Sequence, residues 1–391
     1  MKEKRITMLP ALTAILTAVL CISLISAENA FAANGRTVSK SVVKRINNSR
    51  IIKISFAKKR YYVPDKTKKK IKVKITMQAR GKNRIKWSSI KAGKYKIRWK
   101  TSNKKIATVK KGVVTAKKRG KCTIYAQAGK YKCKTKIYVK TNPKVPADDV
   151  PILTFHRIMP DKIKRKKKYS KYQWDAAVSD FKAQLKYMKD HGYITVSLDQ
   201  FYDWYYGKTD LPENAVVLTI DDGYYETYHL MYPIIKKYGF KATAFIVGKE
   251  TRETTPPYTT SETEDMRIGL DVIEKTRKEY PDLDYQSHSY DLHWYDDSKV
   301  PVVHASRLKT KEEIAEDFAK NEKFGFKYFA YPFGVVTPEL KQVTENSYIK
   351  MAFGFRDYDY ARRTDDPYEI KRLKVSGQIT LRKFAKIVDR Y

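Results

Sequence analysis

The chain has 391 residues, with 81 Lys+Arg against 42 Asp+Glu and a formal net charge of +39. That length allows two domains and a leader, and no segment after the first 25 residues is long and apolar enough to span a bilayer, which excludes a multi-span membrane protein. The charge is divided: residues 34–150 hold 38 basic against 3 acidic residues, whereas residues 151–391 hold 40 against 37, so the basic character belongs to an N-terminal module.

Lys4 and Arg5 precede an apolar run from Met8 to Ile25, and Ala30-Phe31-Ala32 has the small-x-small form of a signal-peptidase site. Residues 1–32 therefore read as a secretory signal peptide. Pro10 and several threonines interrupt the run, which falls short of the roughly 20 apolar residues of a membrane anchor. The residues before Cys21 do not make a lipobox. The mature chain is thus expected outside the cell, secreted or held at the surface by non-covalent contacts. Residues 33–53 read as a polar linker.

From 54 to 141 short alternating strands follow one another: Ile71-Val73-Ile75, Ile97-Trp99, Ala107-Val109, Val113-Val114, Cys122-Ile124-Ala126 and Tyr131 to Val139. Gly112, Gly120 and Gly129 punctuate them at the interval of a small all-β sandwich. Cys122 and Cys133 fall on neighbouring strands with inward parity. Export would permit a disulfide, and buried small hydrophobes explain them equally well. The run Trp99-Lys100-Thr101-Ser102-Asn103, then Ile106 to Val109, Gly112 to Ala116 and Gly120 to Ile124 resembles the bacterial immunoglobulin-like group 2 domain. Members of that family are mostly spacers or adhesive modules, and this one carries enough positive charge to attract anionic wall or matrix polymers, nucleic acid being the less favoured partner of an exported chain. Residues 142–150, with Pro143 and Pro146, read as a second linker.

After Pro151 the texture changes. Strands at Ile152-Phe155, Thr195-Leu198, Val216-Ile220, Thr243-Val247 and Tyr328-Tyr331 alternate with helical stretches near 173–191, 225–239, 266–280, 311–324 and 381–391. Such alternation implies a parallel α/β barrel or a doubly wound sheet. The basic run Lys162 to Lys168 reads as a solvated loop.

The chemistry concentrates in two segments. Val216 to Ile220 is a buried-strand pattern broken off by Asp221-Asp222-Gly223, and Ser287-His288-Ser289-Tyr290-Asp291-Leu292-His293 follows. Two adjacent carboxylates at a strand end repel unless a cation takes one and the other serves as a base. Asp222, His288 and His293 could supply the three protein ligands of a catalytic metal, and the five-residue histidine spacing suits a strand end running into a turn.

Thr-Ile-Asp-Asp-Gly, then His-Ser-Tyr-Asp-Leu-His, then Phe329-Ala330-Tyr331-Pro332-Phe333-Gly334 resembles the polysaccharide deacetylase family (NodB-like, carbohydrate esterase 4), and Pro151 to Arg157 resembles the first strand of one branch. The resemblance covers most of 151–391 and implies a distorted (β/α) barrel that removes acetyl groups from amino sugars with the help of a divalent metal. The expected whole is therefore an N-terminal all-β Ig-like sandwich followed by that barrel. Carried onto this sequence, Asp222, His288 and His293 hold the metal, most plausibly Zn2+, with Co2+, Ni2+ or Mn2+ as alternatives. Asp221 is the general base, and the backbone N–H of Phe333 stabilises the oxyanion. The five-residue spacing resembles the branch acting on poly-β-1,6-N-acetylglucosamine, a biofilm polysaccharide. Peptidoglycan N-acetylglucosamine and O-acetyl esters are the rival substrates, and an inactive polysaccharide-binding surface protein is the rival class.

Two departures stand out. Many relatives place the general acid on a histidine near the C-terminus, and the last forty residues here have none, so His156 is the candidate. Ala330 replaces the arginine that often steadies the base, and Arg372 could reach in from another strand. Tyr290, Trp294, Tyr331 and Phe333 are candidates to line a sugar groove. His191, His229 and His304 have no motif around them and read as structural or exposed. No Gly-x-Ser-x-Gly occurs, which disfavours a serine hydrolase.

Overall fold

The computed structural model describes residues 50–78, 84–88, 97–259, 266–355 and 359–390, so the leader and most of the first linker lie outside the described residues. The chain divides into two units, with the boundary between Thr141 and Asn142. No helix among the described residues is long and apolar enough to cross a membrane.

The described part of the N-terminal unit is all β. Its largest sheet orders the strands Arg60–Pro64, Tyr131–Lys140, Gly120–Ala128 and Arg98–Thr101, flanked by two three-stranded sheets. Strict alternation builds it: Cys122, Ile124, Ala126, Ile137 and Val139 are buried, while the residues between them face water. The strand Arg50–Phe56 runs across the expected end of the first linker, because Ile54 and Phe56 pack into the unit's core. Both cysteines are free. In the register Cys122 faces Ile137 and Cys133 faces Ala126, which puts them about four residues, or roughly 13 Å, apart along the strands.

Residues 142–150 do not hang free as a linker. The Asn142 N–H donates to the Glu213 carboxylate at 2.7 Å, and the Ala147 and Val150 N–H groups donate to Leu211 and Ala361 carbonyls.

The second unit is an α/β fold. Its strands, labelled within this unit, are β1 (Ile152–Phe155), β2 (Ile194–Thr195), β3 (Ala215–Ile220), β4 (Ala242–Ile246), β5 (Leu283–Ser287), β6 (Tyr328–Ala330), β7 (Met351–Phe353) and β8 (Leu373–Lys374). They form one eight-stranded parallel sheet in the order β7-β6-β5-β4-β3-β1-β8, with β2 also on β3. The sheet curls into a half-barrel. Segment 370–374 touches both edges, pairing with β1 and bridging Phe353 of β7 through Ile370. Every residue of β3 and β4 is buried, as expected of strands covered on both faces.

The main helices are α1 (Val178–Asp190), α2 (Leu198–Tyr205), α3 (Tyr225–Tyr238), α4 (Leu270–Glu279), α5 (Lys311–Glu322), α6 (Pro338–Glu345) and α7 (Leu381–Asp389). Two expectations fail instructively. The expected strand Thr195-Leu198 ends at Thr195, because Ser197 and Gln200 form a capping box that starts α2. The helix expected from 173 begins only at 178. Ala176–Ala177 pair with Ile158–Met159, and the Gly377 N–H donates to the Gln173 carbonyl, so tertiary pairing holds this stretch extended.

Candidate active site

The parallel strands deliver their successors to one end of the curled sheet, the end where α/β folds place their ligands. His156 follows β1, Asp221 and Asp222 follow β3, and His288 follows β5. Phe333 comes after β6 and Phe355 after β7. Phe155 and Ile220 are register partners, so His156 and Asp221 emerge side by side.

Asp222, His288 and His293 bring one donor atom each within 4.8 Å of one another. The Asp222 Oδ1 lies 3.1 Å from the His293 Nε2 and 3.5 Å from the His288 Nε2, yet this buried oxygen makes no well-directed hydrogen bond. His288 Nδ1 is 2.8 Å from the Ala330 carbonyl, which can only accept, so Nδ1 carries the proton. With Nδ1 spent as a donor, Nε2 is the ring nitrogen turned toward the carboxylate oxygen, an arrangement in which a cation between them would take a lone pair from each. The residues present therefore fit a divalent metal. Burial would raise the Asp222 carboxyl, but the two imidazoles hold it well below the usual carboxylate range. Burial opposes charging of His293, and the Asp222 carboxylate more than offsets it, so its pKa stands above the ordinary value.

Asp221 is fully buried and clamped by Arg372, also fully buried, through two 2.7 Å hydrogen bonds from Nη1 and Nη2. The guanidinium also donates to Thr219 Oγ1 and the Gly354 carbonyl and lies over Phe355 and Phe245. Burial alone would raise the Asp221 carboxyl, but Arg372, helped by His288 and His156, pulls it below its ordinary value and keeps it ionised. His156 Nε2 lies 3.9 Å from Asp221 Oδ2. Burial pushes this imidazole below its ordinary pKa against the pull of Asp222 and Asp221. Its ring packs on Trp174 at 4.3 Å and stacks with Phe355 at 5.9 Å.

Backbone strain gathers here. Asp222 (φ 76°), Ser289 (φ 72°) and Phe333 (φ 57°) are non-glycine residues in the left-handed region. Strain of this kind persists where surrounding structure over-determines it. At Ser289 the determinant is Asp317 of α5, whose carboxylate accepts the N–H groups of Tyr290 and Asp291 and so fixes the turn between the two histidines.

His156, Asp221, Asp222, His288 and His293 open into one cavity of about 710 Å³, while Arg372 and Asp317 stand behind them. Of the four expected groove residues only Phe333 reaches its wall, where it stacks on His293 and His304 at 4.5 Å each. Tyr331 is fully buried in the core with its hydroxyl donating to the Tyr368 carbonyl. Tyr290 packs against Gly248 and under Lys320, and the Trp294 indole N–H is spent on the Asp291 carbonyl. The wall is built instead by residues the motifs did not mark: Tyr172, Trp174, Tyr224, Tyr295, Phe355 and His304. The basic loop is likewise not just solvated. Buried Lys164 donates to the Tyr169 and Tyr172 carbonyls and ties the loop down as part of the wall.

The class defined here is a parallel half-barrel whose strand ends gather a buried carboxylate, an adjacent Asp-His-His set and an aromatic cavity. Residues 208–352 match the polysaccharide deacetylase family model, and the chain carries a polysaccharide deacetylase domain. The poly-β-1,6-N-acetyl-D-glucosamine N-deacetylase of Staphylococcus aureus (strain MSSA476) is 28% identical over 218 residues, covering 52% of this chain and 68% of that protein. The enzyme of the same name from Staphylococcus epidermidis is 26% identical over 214 residues, covering 51% and 67%. The solved structure of IcaB from Ammonifex degensii matches with a TM-score of 0.50 at 21% identity, covering 62% of this chain and 98% of that one, and supports the fold. None of these similarities bears on the N-terminal Ig-like resemblance.

Proposed function

We propose that this protein is an exported, metal-dependent polysaccharide N-deacetylase acting on N-acetylglucosamine polymers, with poly-β-1,6-N-acetylglucosamine as the favoured substrate. The observation that carries the reading is Asp221, clamped and ionised beside an Asp222-His288-His293 set at the floor of an aromatic cavity. The similarity to the staphylococcal enzymes favours the β-1,6 polymer over peptidoglycan.

In this reading Asp222, His288 and His293 hold a divalent cation, Zn2+ being the best match to the donor set, which polarises the acetyl carbonyl and acidifies a water when bound. Asp221 takes the proton of the water as its oxygen attacks the carbonyl carbon. The Phe333 N–H faces the developing oxyanion. The C–N bond then breaks, and the departing nitrogen needs a proton because an amide anion leaves poorly. His156 delivers it. Its depressed pKa leaves it neutral beforehand, and the 3.9 Å approach to Asp221 gives the captured proton a path to it. Trp174 and Phe355 hold its ring, and Arg372 is the base-orienting residue. Residues 1–32 supply the export signal, and residues 54–141 form the Ig-like group 2 module.

Acetate release from poly-β-1,6-N-acetylglucosamine, chitooligosaccharides and peptidoglycan, run in parallel with and without chelator, tests this. The expected result is fastest release from the β-1,6 polymer, abolished by chelation. Equal rates on all three would remove the substrate assignment, and chelator-resistant release would remove the metal.

A further inference from the structure

Among the described residues, one sheet face of the N-terminal unit carries its charge in rows. Between residues 34 and 141 the sequence has a single acidic residue, Asp65, and it is buried. The outward face of the four-stranded sheet is therefore wholly without carboxylates. Register sets what stands there in rows. Tyr62, Tyr138 and Lys121 form one row, Arg60 and Lys136 the next, and Lys134, Tyr125 and Lys100 the third. Rows are about 7 Å apart and neighbouring strands about 4.8 Å.

Two features go beyond what a half-exposed sheet requires. Arg60 sits directly opposite Lys136, and like charges facing one another across strands destabilise a sheet. The tyrosines are raised among the cations rather than buried: Tyr62 is 46% and Tyr125 40% exposed, Tyr62 and Tyr138 pack at 5.3 Å, and Lys140 lies over the Tyr62 ring at 5.0 Å. A surface that keeps repelling charges together and offers ring faces between them matches a ligand with repeated anionic groups and sugar rings.

We infer that this face binds an acidic polysaccharide, a linear glycan bearing carboxylates, and so holds the enzyme on a polymer distinct from its substrate. The choice of a polysaccharide over a nucleic acid rests on the deacetylase reading of the neighbouring domain. The same reading excludes the reaction product, since removing acetyl groups leaves ammonium groups that this face repels. Lysine outnumbers arginine on the face, which suits diffuse carboxylate attraction better than bidentate phosphate recognition.

The test uses the full chain. Binding to polygalacturonate is measured at low and high salt, with neutral dextran, polyglutamate and single-stranded DNA alongside. The expected result is binding to polygalacturonate but not dextran, lost as salt rises. K100E/K134E/K136E weakens it at least about tenfold, and the off-face control K110E/K117E/K118E by less than about threefold. Y62A/Y125A weakens binding to polygalacturonate about fivefold and leaves binding to polyglutamate unchanged. Equal losses from the on-face and off-face triples would overturn the assignment of the face. Tighter binding to DNA, or equal tyrosine effects on both polyanions, would overturn the polysaccharide. Acetate release from a short neutral oligosaccharide, followed on the same variants, stays within about twofold of the parent. Its absence in the parent would count against the deacetylase reading alone, since the binding results are read separately.

Discussion

Asp221 and Arg372 lie fully buried against one another in the α/β unit, whereas Arg60 and Lys136 face one another in solvent in the N-terminal unit. Both arrangements are electrostatic, and they behave oppositely. A buried pair has given up its water, so each partner is indispensable to the other and salt barely screens it. Exposed charges interact weakly one by one, act as a sum and are screened within about 10 Å at ordinary salt. On the proposed readings, function hangs on single positions in one unit and is spread over a surface in the other.

The sharpest way to break this contrast is Asp221→Asn. It keeps the shape and removes the proposed base, so acetate release should fall by about 10²–10⁴-fold while bound metal per chain stays the same. Retained activity would sink the assigned base. Next comes Arg372→Met, which strands a buried carboxylate. Denaturant unfolding should show a loss of about 3–5 kcal/mol, and Asp221→Leu in the same chain should recover much of it without restoring activity. A double variant as unstable as the single one would mean that Arg372 matters through packing.

Metal binding should depend on pH, because His288 and His293 must present lone pairs and Asp222 holds a proton on His293 above the usual range. Affinity measured by competition with a chelator should drop by at least about tenfold per pH unit once His293 takes up its proton. An affinity flat across that range would argue against imidazole ligands.

Asp317 offers a finer probe. Burial pushes its carboxyl up to about 6 against the pull of the Tyr290 and Asp291 N–H groups. A raised folded-state value means that the folded chain holds the proton more tightly than the unfolded one. The contribution is thus complete below the ordinary carboxylate value and is lost as pH rises through about 6. Asp317→Asn should remove a downward slope in stability of at most about 1.4 kcal/mol per pH unit in that window. An unchanged slope would place the titration elsewhere. The smallest effect is expected from the other unit. Lys134→Gln alone should change stability by no more than about 0.5 kcal/mol, and a larger loss would mean that the face is structural after all.

Part of this site could be read before any fold was known. Asp221, Asp222, His288 and His293 were legible because adjacent carboxylates at the end of an apolar strand, and two histidines after a second one, are local patterns with a chemical reason. Arg372 and His156 were nameable only as candidates: nothing near Arg372 marks it, and the strand before His156 points to the family branch but not to an acid. Of the aromatic cavity wall only Phe333 was legible. Trp174 was hidden inside an expected helix, and Tyr331 was expected at the groove but is packed in the core.

By itself the sequence determined the alternation that makes one unit β and the other α/β, the place where the charge changes, and the residue types of the Asp-His-His set. These follow from period, composition and residue chemistry, all carried by neighbours in the chain. Only the tertiary structure decided that Arg372 meets Asp221 across 151 positions, that Asp317 fixes the histidine turn, and that tyrosines and lysines share rows on one sheet face. Those outcomes depend on strand register and on which segments share the C-terminal end of the curled sheet, and neither is a property of any local stretch of sequence.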